Sequence, residues 1–282
     1  MAKAPDTRPV AVSTALFDGY AMDVAIDEIA ASGASHVEPA YIRGYVEFDE
    51  SAFSDSAASA MARLLGEAGL SSIAVSAHLD MALPEAADML RRRLAFARHI
   101  GARYVITNTG SRSGADTICR TLEAVLPFCE QAGVGLALEN PGHGEGDLIG
   151  NGAEGLALVA KFGSPYLRLN YDAGNIYTYS REALLPENDI ADALPAIAHL
   201  HLKDVASDES GWRFTPLGEG SINYSALWRK IPADLPIGLE LPLRLERPGR
   251  SDPVRRAEPL PLPQLRAALQ RSLAFVGKVS GQ

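Results

Sequence analysis

Cysteine is scarce: two in 282 residues, so the chain cannot be a disulfide-stapled scaffold. Cys119 and Cys129 fall ten positions apart in one segment of helical period, about 15 Å of rise, too far to bridge. Both read as small buried thiols. Basic residues are outnumbered, 26 Lys+Arg against 35 Asp+Glu, for a net charge of −9. A nucleic-acid partner is excluded on that balance, because such proteins replace phosphate counterions with a basic surface. No run approaches the roughly 18 consecutive apolar residues of a membrane span. The opening MAKAPDTRPVAVSTALFDGY lacks the apolar stretch of a signal peptide. The expectation is a soluble cytoplasmic protein with no membrane partner. Apolar residues are not short, at 47%, so disorder is excluded and a core is available.

What the chain does have is a glycine rhythm. Gly33, Gly69, Gly101, Gly133 and Gly163 are spaced by 36, 32, 32 and 30 residues, each after a helix-like segment and before a short apolar run. Glycine just past a helix end takes the left-handed conformation without a Cβ penalty. Met22, Ala25, Ile26 and Ile29 share one helical face, as do Ala87, Leu90, Leu94 and Ala97, with Arg91, Arg92 and Arg93 mostly turned away. Strand-like runs are expected at 10–13, 36–38, 72–78, 104–109, 135–139, 166–172, 198–203 and 237–241, and a last helix carries Leu265, Leu269, Leu273 and Val276. Eight strands separated by helices predict a (β/α)8 TIM barrel, a single domain over 1–282. An open doubly wound sheet is disfavoured, because GxGxxxG at Gly144, Gly146 and Gly150 is not its nucleotide fingerprint. Residues 244–263, rich in Arg and Pro, read as a long excursion. It is either a solvated loop, or a segment that covers a site or meets a neighbouring subunit in a homo-oligomer or partner complex.

Chemistry in such a barrel sits at the C-terminal strand ends. Here those ends are Glu38, His78, Asn108, Glu139 with Asn140, Asp172, His201 with Lys203, and Glu240. So many ionisable groups at one mouth cost several kcal/mol each unless paired or coordinated. Glu139, Asp172, His201 and Glu240 form a metal set of three carboxylates and one imidazole. Such a set suits one divalent ion, Mn²⁺ by preference, with Mg²⁺, Co²⁺ or Zn²⁺ as alternatives. His199, two before His201, reads as a core histidine, and His36 and His99 as structural. His143 is a candidate base or substrate contact; His78, Asn108 and Arg244 are candidate substrate contacts, and Lys203 either reaches a substrate oxygen or pairs with a carboxylate.

The segments ALENPG, LNYDAGN, HLHLKD, PLGEGSINY and GLELP resemble the xylose-isomerase-like barrels of sugar isomerases and epimerases, in order and with ligand spacings of 33, 29 and 39 residues. By that resemblance Glu139, Asp172, His201 and Glu240 bind the ion, and the two glutamates serve as acid and base. One position departs: the ketose 3-epimerases carry a histidine three residues after the aspartate, where this chain has Asn175. The catalytic set expected is Glu139, Glu240 and His143. The substrate, a sugar or polyol, is expected to meet Glu38, His78, Asn108, Asn140, Asn175, Lys203 and Arg244. The implied reaction is isomerisation or epimerisation by proton abstraction next to a carbonyl. Two alternatives stay open: a lyase that eliminates from the same enolate, as a dehydratase or a 3-keto-glycoside eliminase, and a non-catalytic sugar-binding barrel.

Overall fold

The computed structural model describes residues 8–281; the ends of the predicted 1–282 domain lie outside the described residues. Parallel strands follow one another in the order Val10–Ser13, His36–Glu38 with Ala40–Tyr41, Ser71–Ser72 with Ala74–Ala77, Tyr104–Asn108, Gly135–Glu139, Leu167–Asp172, Ile197–Leu202 and Ile237–Leu239. The last strand pairs with the first, Ile237 opposite Val10. The ring closes through the second and third strands, each of which is broken once. His36 and Val37 face Ser71 and Ser72, whereas Ala40 and Tyr41 face Ser76 and Ala77, a register slip of one residue. Pro39 sits at the break, with no N–H to give, and its carbonyl accepts from the Ser76 amide at 3.0 Å. This is the eight-stranded parallel barrel the sequence predicts.

The long helices end where the glycines said they would. Gly69, Gly133 and Gly163 cap Asp55–Ala68, Ala115–Ala132 and Gly152–Phe162 in the left-handed conformation. Cys119 and Cys129 are both free and share the helix Ala115–Ala132. Among the described residues, no helix is long and apolar enough to cross a membrane.

Two expectations need correction. Arg93 is not turned to solvent: it is completely buried in the helix Ala86–His99. Its guanidinium donates to the Ala77 carbonyl at 3.1 Å and to Glu50 at 2.6 Å, and lies 4.9 Å from the Phe53 ring centroid. A helix that packs against both a strand end and an outer 3₁₀ turn buries a wider face than the apolar period alone marks. Arg93→Ala, which removes the nearer partner of Glu50 and the donor to the Ala77 carbonyl and opens a cavity, is expected to cost about 3 kcal/mol in urea unfolding; an unchanged midpoint would mean the pair is inert.

Residues 244–263 are not a bare loop either. Leu245–Pro248 and Val254–Arg255 join Asp204–Asp208 and Gly211–Thr215 in a four-stranded antiparallel sheet. Leu245–Pro248 finds its partner in Gly211–Thr215, a distant segment, and such short Arg- and Pro-containing strands have no period of their own to announce them. The sheet is locked down by Arg250, which donates to Glu182 at 2.8 Å and to Ser207 at 3.0 Å. Arg247 stacks 4.7 Å from the Trp212 ring centroid and donates to the Gly142 carbonyl at 2.7 Å. That last bond ties the strap to the loop that follows Glu139.

Candidate active site

Side chains alternate along a strand, so His199, His201 and Lys203 share one face, as do Asn170 and Asp172. A register slip between Leu169 and Asn170 sets Asn170 opposite His199 and Asp172 opposite His201. It stacks two polar layers inside the barrel. In the lower layer His199 Nδ1 meets Asn170 Oδ1 at 2.8 Å. Burial pushes His199 down to about 4, so the ring is neutral at physiological pH. This is the core histidine expected from the sequence.

In the upper layer the four predicted ligands converge. Glu139, Asp172, His201 and Glu240 each offer one atom, all within 4.8 Å of one another, and all four residues are buried. From His201 Nδ1 the distances are 3.2 Å to Glu139, 3.7 Å to Asp172 and 3.3 Å to Glu240. Three of the four side chains are oriented by a partner behind them. Glu139 accepts from Asn170 at 2.7 Å on one oxygen and from Asn175 at 3.0 Å on the other. Asp172 ends its strand and caps the helix Ala173–Tyr179, one oxygen accepting from the Asn175 amide at 2.8 Å. Its second oxygen, Oδ2, faces the cluster. His201 Nε2 lies 2.9 and 3.1 Å from the two oxygens of Glu38, an acceptor that fixes a proton on Nε2 and leaves Nδ1 as the atom aimed at the carboxylates. A Cβ on Gly238 would fall 2.9 Å from Glu38 and 3.0 Å from each of the His199 and His201 rings, so that position leaves room only for glycine.

Asp172 Oδ2, His201 Nδ1 and Glu240 Oε2 are buried without a well-formed hydrogen bond, the two carboxylate oxygens facing the Lys203 ammonium at 2.9 and 2.6 Å. Two carboxylate oxygens and one imidazole nitrogen aimed at one point, with a third carboxylate, Glu139, beside them, fit a hard divalent cation. The electrostatics agree. Burial favours protonation of Glu139 and Glu240, yet His201 and His78 around the first and Lys203 and His201 around the second outweigh it, holding both carboxyls below their ordinary range. Burial, only partly offset by Lys203, pushes Asp172 up. Against burial, which opposes the charge, Glu38 and Glu139 hold His201 well above the usual histidine range.

Glu139 and Glu240 of the cluster line a cavity of about 360 Å³, with Asp172 and His201 wholly buried behind them. His78, Asn108, Glu139, His143, Asn175, Lys203 and Glu240 all line it, as the sequence suggests. Three other candidates do not. Glu38 lies wholly buried beneath His201. Asn140 is spent on the Asp172 backbone, donating to its carbonyl at 3.0 Å and accepting from its amide at 2.9 Å. Arg244, expected to close over the site, is turned away: it donates to the carbonyls of Arg256 and Ala257 and pairs with Asp18 at 3.3 Å. All three shape the site from behind or beside it.

Tyr45, Asp80, Ser111 and Asp147 line the cavity without any warning in the sequence, since they sit on loops outside the strand-end pattern. Burial, aided by Asp80, pushes the Asp147 carboxyl up to about 6. Asp204, next to Lys203, explains the PLGEGS segment: its carboxylate accepts from the amides of Gly218 at 2.9 Å and Gly220 at 3.0 Å. A Cβ on Gly220 would fall 2.1 Å from that carboxylate.

The sequence matches the description "xylose isomerase-like TIM barrel" over residues 26–263. No curated protein matches it. Among solved structures, an L-ribulose 3-epimerase is 19% identical with a TM-score of 0.69, covering 97% of this chain and 94% of its own. A xylose isomerase-like TIM barrel protein from Mycobacterium smegmatis, solved in complex with magnesium, is 17% identical with a TM-score of 0.72, covering 99% and 98%. The probable 3-DHS dehydratase AsbF from Bacillus anthracis is 15% identical with a TM-score of 0.69, covering 96% and 98%.

Proposed function

The chain belongs to the xylose isomerase-like TIM barrel family, and we propose that it is a divalent-metal-dependent sugar or polyol isomerase or epimerase. One observation carries this reading: the convergence of Glu139, Asp172, His201 and Glu240 within 4.8 Å beside a sugar-sized cavity. These four residues would hold the ion. When bound, it supplies Lewis-acid stabilisation of the negative charge that develops on a substrate carbonyl oxygen.

The protein's own groups do the rest. Glu139 and Glu240 line the cavity as carboxylates held ionised by their cationic neighbours. An ionised carboxylate in reach of a carbon-bound proton is a general base. One glutamate removes the proton next to the carbonyl, and the other returns it, to the opposite face for epimerisation or to the adjacent carbon for ketose–aldose exchange. Asn170 and Asn175 fix Glu139 through both oxygens, so its direction of attack is set before substrate arrives. His78 and Asn108 present buried polar atoms without partners, Nε2 and Oδ1, suited to substrate hydroxyls.

A β-elimination is the second reading, favoured by Asn175. Its amide is committed to Glu139, the Asn140 carbonyl and Lys203, so it cannot supply the proton a histidine would. The rim residue His143 is then the acid for a departing group, and a likeness to a dehydratase accords with that.

The test is metal stoichiometry. Purified protein is expected to carry or take up one equivalent of Mn²⁺, Mg²⁺, Co²⁺ or Zn²⁺ by elemental analysis, with a higher Tm when loaded. Protein that takes up none of these ions would overturn metal dependence.

A further inference from the structure

One cationic side chain already occupies the cluster. Lys203 Nζ lies 2.9 Å from Asp172 Oδ2 and 2.6 Å from Glu240 Oε2, the same two oxygens that face His201 Nδ1. It also donates to Asn175 Oδ1 at 3.1 Å. Lys203 is 2% exposed, and its backbone is pinned on both sides: its amide donates to the Tyr224 hydroxyl at 2.9 Å, and that hydroxyl donates to its carbonyl at 2.7 Å. A Cβ on Gly174 would fall 2.5 Å from that carbonyl, so the neighbouring helix can pack here only with glycine. The main chain is therefore fixed, and the butyl ammonium arm is the part free to move.

Resting on the metal-binding reading above, we propose that the Lys203 ammonium is the resident cation of the site and competes with the divalent ion for Asp172 and Glu240. Two cations cannot share the same two oxygens at these distances without strong repulsion. Entry of the ion therefore drives Nζ off Oδ2 and Oε2, and its way out is the cavity that Lys203 lines together with Tyr45, His78 and Asn108. Pairing with Lys203 also answers how Asp172 and Glu240 stay buried side by side, since the ammonium sits between their two facing oxygens. Metal affinity is then a difference between two cations, set by one side chain outside the ligand set.

The experiment titrates Mn²⁺ into chelator-treated full-length protein by calorimetry, at one pH, for wild type, Lys203→Met and Lys203→Arg. Methionine keeps the arm and removes the charge. Lys203→Met is expected to bind Mn²⁺ on the order of ten- to a hundredfold more tightly than wild type, whereas Lys203→Arg gains nothing. Should Lys203→Met be too unstable to titrate, the Mn²⁺-induced rise in Tm is read instead and is expected to exceed that of wild type. Equal or weaker binding, or an equal Tm rise, overturns the competition while leaving the metal reading intact. Uptake by Lys203→Met but not by wild type upholds the competition and removes the metal from the working enzyme. No uptake by either overturns both.

Discussion

Glu139→Gln is expected to abolish deuterium incorporation from solvent into a ketose or polyol-derived substrate, with a loss of about a thousandfold or more in exchange rate. The substitution keeps the length and shape of the side chain but removes the lone pair that takes the proton. It also disturbs the donors behind it: Asn170 and Asn175 each give an N–H to a different oxygen of Glu139, and an amide can accept from only one of them. The assay is therefore run with saturating Mn²⁺ and alongside a circular dichroism spectrum, so that loss of proton transfer is separated from loss of ion or fold. Exchange at the wild-type rate in Glu139→Gln would remove it as the base. Product analysis of the same reactions divides the two chemistries. A stereoisomer or aldose accords with isomerisation or epimerisation, and an unsaturated product or a released group with elimination.

Glu38→Gln is expected to weaken Mn²⁺ binding by about 10–100-fold, the usual cost of losing an orienting partner behind a histidine ligand. Glu38 touches neither cavity nor cluster oxygen; it acts through His201. With a carboxylate behind it, His201 keeps its proton on Nε2, and Nδ1 is left with a lone pair toward the ion. A glutamine there can turn its NH₂ to the ring instead, which favours the tautomer with the proton on Nδ1, aimed at the three carboxylates. Ser76, which donates to Glu38 at 2.8 Å, loses a charged acceptor in the same change. A Mn²⁺ isotherm indistinguishable from wild type would show that Glu38 is packing alone. Gly238→Ala should reproduce the defect from the other side, because its Cβ would press on Glu38 and both rings at 2.9–3.0 Å.

Much of this site was legible before any coordinates. Period-2 alternation and the glycine rhythm place strand ends locally, and local pattern is enough to put Glu139, Asp172, His201 and Glu240 at one mouth once the strands form a ring. The one-residue slip between Leu169 and Asn170 was not legible, yet it aligns Asp172 with His201. Nor could spacing tell which polar side chains face substrate and which face one another. Glu38 and Asn140 look like strand-end ligands in sequence and serve as supports in the fold.

Sequence by itself determined the barrel, its helix ends and which polar side chains stand at the strand ends, because each of these follows from the order of residues along single elements. Tertiary structure alone decided the burial of Arg93, the strap sheet that draws Arg244 away, and the seating of Lys203 between Asp172 and Glu240. Those outcomes depend on which groups meet across the barrel, and a charged side chain with a long arm settles on the nearest opposite charge rather than on a position its neighbours in sequence can announce.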